Sequence, residues 1–322
     1  PIIDPERAIV DPHHHLWPIG GPLLYGPTEL AADTASGHNV VATLFMECNA
    51  AYRTEGPAHL RSVGETEFVA SSADWLAAEP PDGPPIAGII GHVDLADSAH
   101  LDDALDAHVE AAGGRFRGIR DALARATEPQ AMMIAGMNPA GKYADESFRS
   151  GVNRLGERGL TYDSWHYHYQ NHEFLELAQA IPGTTMVLDH FGTPCGVGQY
   201  EGQLDGIFET WKDDISAIAA CENVVAKIGG LAMPDNGFGW HTAPAPPTSD
   251  EFVEQQARYY LHTIDAFGPE RCMFESNFPV DRFSLSYAVL YNGLKKIAAA
   301  FSDAEQDALF SGTAARVYSV AI

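Results

Sequence analysis

Basic residues are scarce in this chain: 19 Lys and Arg stand against 44 Asp and Glu, a formal charge of −25. A surface of that sign repels nucleic acid and anionic membrane alike, so small solutes are the expected partners. The acid excess is spread along the chain rather than gathered in a tail, and reads as a solvated surface without site information. Cysteine is also rare. Cys48, Cys195, Cys221 and Cys272 are scattered without a CxxC pair, which argues against a disulfide framework or a zinc ribbon and fits a reducing compartment. No apolar run approaches the roughly 20 residues that span a bilayer, and the opening residues show no charged-then-apolar leader pattern, so a cytoplasmic protein is expected. Homo-oligomerisation is left open.

What is present is repetition. Short apolar runs alternate with helix-period segments from end to end, the signature of βα units around a parallel sheet. Strands are predicted at Ala8 to His15, Val40 to Cys48, Ile86 to Asp94, Phe116 to Ala122, Leu160 to Trp165, Thr185 to His190, Val224 to Leu231 and Cys272 to Asn277. Eight such units without a composition break favour a single (β/α)8 TIM barrel over residues 1–322 rather than two open sheets. Ser62 with Glu65, and Ser302 with Glu305, have capping-box spacing and mark helix starts. Apolar stripes at Leu101, Leu105 and Val109, at Phe148, Val152 and Leu155, and at Ile207, Phe208, Trp211, Ile215 and Ile218 are expected to be core. The segment 232–250 is too long and proline-rich for a routine connection, and its place after the seventh strand predicts a lid carrying Trp240.

In such barrels the reacting groups stand at the carboxyl ends of strands. The first strand ends in Asp11-Pro12-His13-His14-His15, where alternation projects His13 and His15 together and His14 away. Two neutral imidazoles on one strand end suit a divalent metal such as zinc, or polarise a carbonyl directly. The second strand offers Glu47, the fourth Arg117 and Arg120, the fifth Trp165 and His168, the sixth His190, the seventh Lys227 and the eighth Glu275, Ser276 and Asn277. His190 reaches the same rim as the histidine pair and is a third ligand or carbonyl-polarising group. Glu47 completes a metal shell, serves as general base, or pairs with a barrel arginine. Lys227, set among valines and isoleucine, requires a partner, which could be Glu47, Glu275 or substrate. Alternation places Arg117 and Arg120 on opposite faces, so one of them is expected to grip a substrate carboxylate.

The histidine pair, the run Val187-Leu188-Asp189-His190-Phe191-Gly192 and the run Met273-Phe274-Glu275-Ser276-Asn277-Phe278-Pro279 together resemble the amidohydrolase superfamily. Within it the chain looks like the amidohydrolase-related branch, which includes sugar-lactone lactonases, sulfomuconolactone hydrolases and 2-pyrone-4,6-dicarboxylate lactonase. The resemblance covers nearly the whole chain and implies hydrolysis of a small, polar, anionic lactone. It implies one divalent ion, zinc, held by His13, His15 and His190 with Glu47 as a further ligand, although part of the branch acts without metal. No carbamylated lysine is expected where Arg120 and Asp121 end the fourth strand, so a binuclear centre is not. The superfamily's proton-accepting aspartate on the eighth strand is matched here by Asn277, which moves the general-base role to Glu47, with Asp281 second. Lys227 or an arginine would steady the oxyanion, and Arg53, Arg117 or Arg120 with Trp165, His168 and Trp240 would bind substrate. The alternatives are a decarboxylase of an aromatic or unsaturated acid on the same scaffold, and a non-catalytic ligand-binding barrel.

Overall fold

Strands covered on both faces read as continuous apolar runs, and eight of them form here. In the computed structural model, which describes residues 1–78 and 83–322, they are β1 (Ala8–His14), β2 (Asn39–Met46), β3 (Ile86–Gly91), β4 (Phe116–Arg120), β5 (Thr161–Ser164), β6 (Met186–Leu188), β7 (Val224–Ile228) and β8 (Cys272–Phe274). All neighbours are parallel and stand in chain order. Closure between β1 and the chain following β8 rests on the backbone: His15 N donates to the Phe278 carbonyl (2.8 Å) and Asn277 N to the His13 carbonyl (3.0 Å). Asp11 reinforces this seam, its two oxygens accepting from Ser276 N (2.9 Å) and the Tyr287 hydroxyl (3.0 Å). The result is a (β/α)8 barrel.

The main helices that wrap the barrel are α1 (Pro27–Thr34), α2 (Val63–Ala78), α3 (Leu101–Ala111), α4 (Glu146–Glu157), α5 (Asn171–Ala180), α6 (Leu204–Ala219), α7 (Ser249–Phe267) and α8 (Tyr287–Ala298). The predicted stripe of α4 is buried, and so is that of α6 except for Phe208, which is half-buried with Lys212 and Arg258 over its ring. On α3 the stripe turns by one residue. His108 is buried there and Val109 is 46% exposed, because Thr66 of α2 and the His92 carbonyl offer the imidazole hydrogen bonds. Ser302 and Glu305 form the expected capping box. Glu65 does not cap α2 in that way. Its carboxylate accepts from Cys48 N (3.0 Å) and Ala50 N (2.7 Å), two amides beyond β2 that would otherwise lose a partner on burial.

Three layers fill the barrel interior. The lowest is apolar, with Val10, Leu44, Val187, Val225 and Met273 closed from beneath by Ala314, Tyr318 and Val320. A charged layer containing Asp163, Lys227 and Asp189 lies above it, and the imidazoles of the strand ends stand over that. No helix among the described residues is long and apolar enough to cross a membrane.

Several strands stop short of their expected ends. β5 ends at Ser164, β6 at Leu188 and β8 at Phe274, and His190 and Asn277 both have left-handed backbone (each φ 53°). The polar residues therefore sit on turns that leave the ladder, not on its last rungs. Segment 232–250 differs too. Met233 faces the central cavity, whereas Trp240 is buried against Phe238 and against Phe252 of α7, which excludes it from substrate contact. Much of the cover over the cavity comes instead from residues 133–138, in the loop after β4. Asp235 ties that loop down, accepting from Met133 N (2.7 Å) and Ile134 N (2.9 Å).

Candidate active site

Alternation along β1 works as expected. His14 turns away to Thr43 Oγ1 (3.1 Å), while the Nε2 atoms of His13 and His15 meet at 3.3 Å. His15 Nδ1 donates to the Met46 carbonyl (2.8 Å), which leaves its Nε2 as the lone-pair nitrogen. His190 arrives from β6, where two successive left-handed residues, His190 and Phe191, fold its ring back over the strand end. Trp211 Nε1 holds that turn through the Phe191 carbonyl (2.7 Å). The His13 and His190 ring centres lie 4.5 Å apart.

Glu275 joins them. Its Oε1 is 2.7 Å from His190 Nδ1, and its Oε2 is 2.9 Å from His13 Nδ1, although the second contact lacks hydrogen-bond alignment. Glycines make the room: a Cβ on Gly230 would fall 2.2 Å from His190 Nδ1, and one on Gly229 would fall 2.4 Å from Glu275 Cγ. Burial holds His13 and His15 well below the ordinary imidazole range and His190 down to about 3, so all three rings are neutral. Burial pushes Glu275 up to about 8. His13, His190 and Glu275 bring ligand atoms within 4.8 Å of one another, and His13 Nδ1 and Glu275 Oε2 are buried without hydrogen bonds. Neutral imidazoles beside a carboxyl group that a nearby cation would ionise suit a divalent cation. Glu275 stands where Glu47 was expected as the carboxylate of this group.

Glu47 is committed elsewhere. Its Oε1 accepts from Arg120 Nε (2.8 Å), and Arg120 Nη1 lies 3.5 Å from Asp189 Oδ2. Lys227 is fully buried beneath the cavity and pairs with Asp163 (2.8 Å) and Asp189 (3.5 Å), neither of the carboxylates expected for it. Burial alone would lower the lysine, but Asp163 and Asp189 outweigh it, so the ammonium stays charged. Burial pushes Asp189 up to about 6 against the pull of Lys227. The Tyr318 hydroxyl completes the group by donating to Asp163.

Above these groups opens a cavity of about 570 Å³ lined by His15, Glu47, Arg120, Trp165, His190 and Asn277 among the expected residues. The others do not face it. Arg117, on the opposite face of β4, donates to the carbonyls of Gly114, Phe116 and Ala87. Arg53 pairs with Glu67 on the exterior. His168 accepts from Cys195 N (3.1 Å) and packs on Tyr169 and Tyr200. Asp281 accepts from Asn277 Nδ2 (2.9 Å) and Ala232 N (3.1 Å), so it positions Asn277. Asp163, below the site, left no signal in the sequence, and Asp189 and Glu275 stood among the polar strand ends without the roles they take here, one beside Lys227 and the other between two histidines.

A parallel barrel that gathers imidazoles from β1 and β6 at its carboxyl mouth is the frame of a barrel enzyme. The chain belongs to the amidohydrolase family, whose model matches residues 10–320. The protein y4mH of Sinorhizobium fredii is 32% identical over 98% of this chain and 99% of its own length. An L-fucono-1,5-lactonase of Burkholderia multivorans is 28% identical over 73% of this chain and 72% of its own length. Among solved structures, a Burkholderia multivorans amidohydrolase with bound zinc superposes with a TM-score of 0.74 at 24% identity, covering 98% of this chain and all of the other. These likenesses support a hydrolase.

Proposed function

We propose that the chain opens a lactone by attack of water on its carbonyl, with one divalent cation, zinc, held by His13, His15 and His190. The observation that carries this reading is the use of the imidazole nitrogens. Each Nδ1 is taken or faced by Glu275 or the Met46 carbonyl, the Nε2 atoms of His13 and His15 have no protein partner except each other, and the His190 ring centre lies 4.5 Å from that of His13. A carboxylate behind a ligating histidine fixes its tautomer and raises its basicity. The zinc found in the Burkholderia structure and the lactonase among the relatives support the same reading. When bound, such a cation supplies Lewis acidity to the ester carbonyl.

The protein's own groups do the rest. Glu47 faces the cavity with Oε2 free of hydrogen bonds, and it takes the proton from the attacking water. Arg120 anchors Glu47, donating to its carboxylate through Nε and to its backbone carbonyl through Nη2. Asn277 gives its amide N–H to Asp281, so its Oδ1 is left to accept an O–H and orient the water. Lys227 takes no part in the chemistry.

Protein purified without added zinc is to be analysed for metal and assayed on a panel of lactones by acid release, with carbon dioxide measured in parallel. About one metal per chain, with acid release lost on chelation and restored by zinc, is the expected result. Full turnover at near-zero metal overturns the cation. Carbon dioxide without net hydrolysis assigns the chain to decarboxylation, and binding without turnover assigns it to ligand carriage. Glu47→Gln with normal turnover and pH dependence removes Glu47 as the base.

A further inference from the structure

The cavity that would take the lactone is poorly equipped for an anion. Its charged lining residues are Glu47, Arg120 and Asp121. Arg120 is spent on Glu47 and Asp189, and both Asp121 oxygens are bonded by Lys142 (3.1 and 2.9 Å). Arg53 and Arg117, the other expected grips for a carboxylate, lie outside it. Among the described residues, then, no unpaired side-chain cation lines the cavity. A substrate carboxylate entering beyond the imidazoles would lose its water without gaining an unpaired cation, which is costly.

The opposite holds for apolar matter. Trp17, Leu23, Met133, Met137, Met233 and Phe283 line the cavity. Three of these also reach solvent: Met137 is 74% exposed, Met133 51% and Phe283 43%, and Leu24, next to Leu23, is 75% exposed. Large side chains of this kind are rarely left together in water without a use, and here they border a site of chemistry. A volume of about 570 Å³ accommodates a ring and a substituent together.

Resting on the lactonase reading above, we infer that the substrate is an uncharged lactone bearing an apolar arm, with its ring carbonyl at His15 and His190 and its arm along Met133, Met137 and Phe283. The reaction adds one water across the ring C–O bond: the acyl carbon gains a hydroxyl, the ring oxygen takes a proton, and a hydroxy acid results.

The test compares δ-decalactone, δ-valerolactone and 2-pyrone-4,6-dicarboxylate on the metal-loaded enzyme. kcat/KM for δ-decalactone is expected to exceed that for δ-valerolactone at least tenfold and that for the dicarboxylate at least a hundredfold. Met137→Lys is expected to shift the decalactone-to-dicarboxylate ratio at least tenfold toward the anion. Preference for the dicarboxylate, or for the unsubstituted ring, overturns the inference while leaving the lactonase reading in place. If none of the three is hydrolysed, the lactonase reading fails, and quenching of tryptophan fluorescence decides this inference separately. Saturable quenching by δ-decalactone at lower concentration than by the dicarboxylate supports it. The reverse order, or no saturable quenching by δ-decalactone, overturns it.

Discussion

Two sets of polar side chains stand close together in the barrel and are built in opposite ways. In the charged layer every ion has a counter-ion: Lys227 has Asp163 and Asp189, and Arg120 has Glu47 and Asp189. In the imidazole set the rings are neutral, each Nδ1 is engaged or faced by an acceptor, and the Nε2 atoms of His13 and His15 meet without another protein partner. The difference follows from the cost of burial. An ion inside a protein needs a partner and is thereby spent on structure, whereas a neutral imidazole can be buried with a lone pair left over. Polar residues at strand ends are therefore not equivalent candidates for chemistry.

Breaking the charged layer should have the largest effect, and the effect should fall on folding. Lys227→Met leaves Asp163 and Asp189 short of their cation, and a loss of about 3–5 kcal/mol in urea unfolding is expected. Adding Asp163→Asn should recover part of it. Wild-type stability in the single variant would mean that pairing does not govern this layer.

A second test uses imidazoles that have no spare valence. His108 has Thr66 Oγ1 at 2.8 Å and the His92 carbonyl at 3.0 Å, and His166 has the Tyr143 hydroxyl at 3.0 Å and Asn171 Oδ1 at 3.1 Å. Burial holds each down to about 4. Between the ordinary value near 6.5 and that lower one, the unfolded chain binds more protons than the folded chain. Stability is therefore intact above about pH 6.5 and falls as pH drops toward 4, by about 3 kcal/mol per histidine at pH 4. Urea unfolding at pH 7 and pH 4.5 measures this, and His166→Gln should flatten the slope. An unchanged slope in that variant would assign the acid sensitivity to other groups.

The contrast also explains what could be read from the sequence. The eight strands were legible because interior parallel strands are apolar throughout, and the His13–His15 pair was legible because alternation is a local rule. The strand ends were not. His190 and Asn277 continue the polar pattern of a strand while the backbone turns left-handed beneath them. Ion-pair choice was illegible for another reason: Lys227 could reach several carboxylates, and register alone decides for Asp163. Glu275 did leave a trace in Gly229-Gly230, a pair at the end of β7 that has space for neither a Cβ beside Glu275 nor one beside His190. The partners of the arginines were equally illegible: Arg53 pairs with Glu67, Arg117 with backbone carbonyls, and Arg120 with Glu47.

Within the imidazole set, Glu275→Gln should preserve the fold and weaken zinc binding about 10–100-fold, because an amide has one oxygen where the carboxylate sets two against His190 Nδ1 and His13 Nδ1. Competition with a chromogenic chelator measures this directly, and circular dichroism checks the fold. An affinity equal to wild type would deny Glu275 its part in orienting the histidines.

The smallest effect is expected from the other arginine of β4, which makes it the sharpest control. Arg117 and Arg120 are three residues apart on one strand, yet only Arg120 reaches the cavity. Arg117→Met removes hydrogen bonds to three backbone carbonyls and should cost about 1 kcal/mol of stability, with kcat/KM within twofold of wild type. Arg120→Met, by contrast, frees Glu47 and Asp189 from their cation and should depress kcat/KM strongly. Equal kinetic losses in the two variants would mean that the face of the strand does not decide which arginine serves the site.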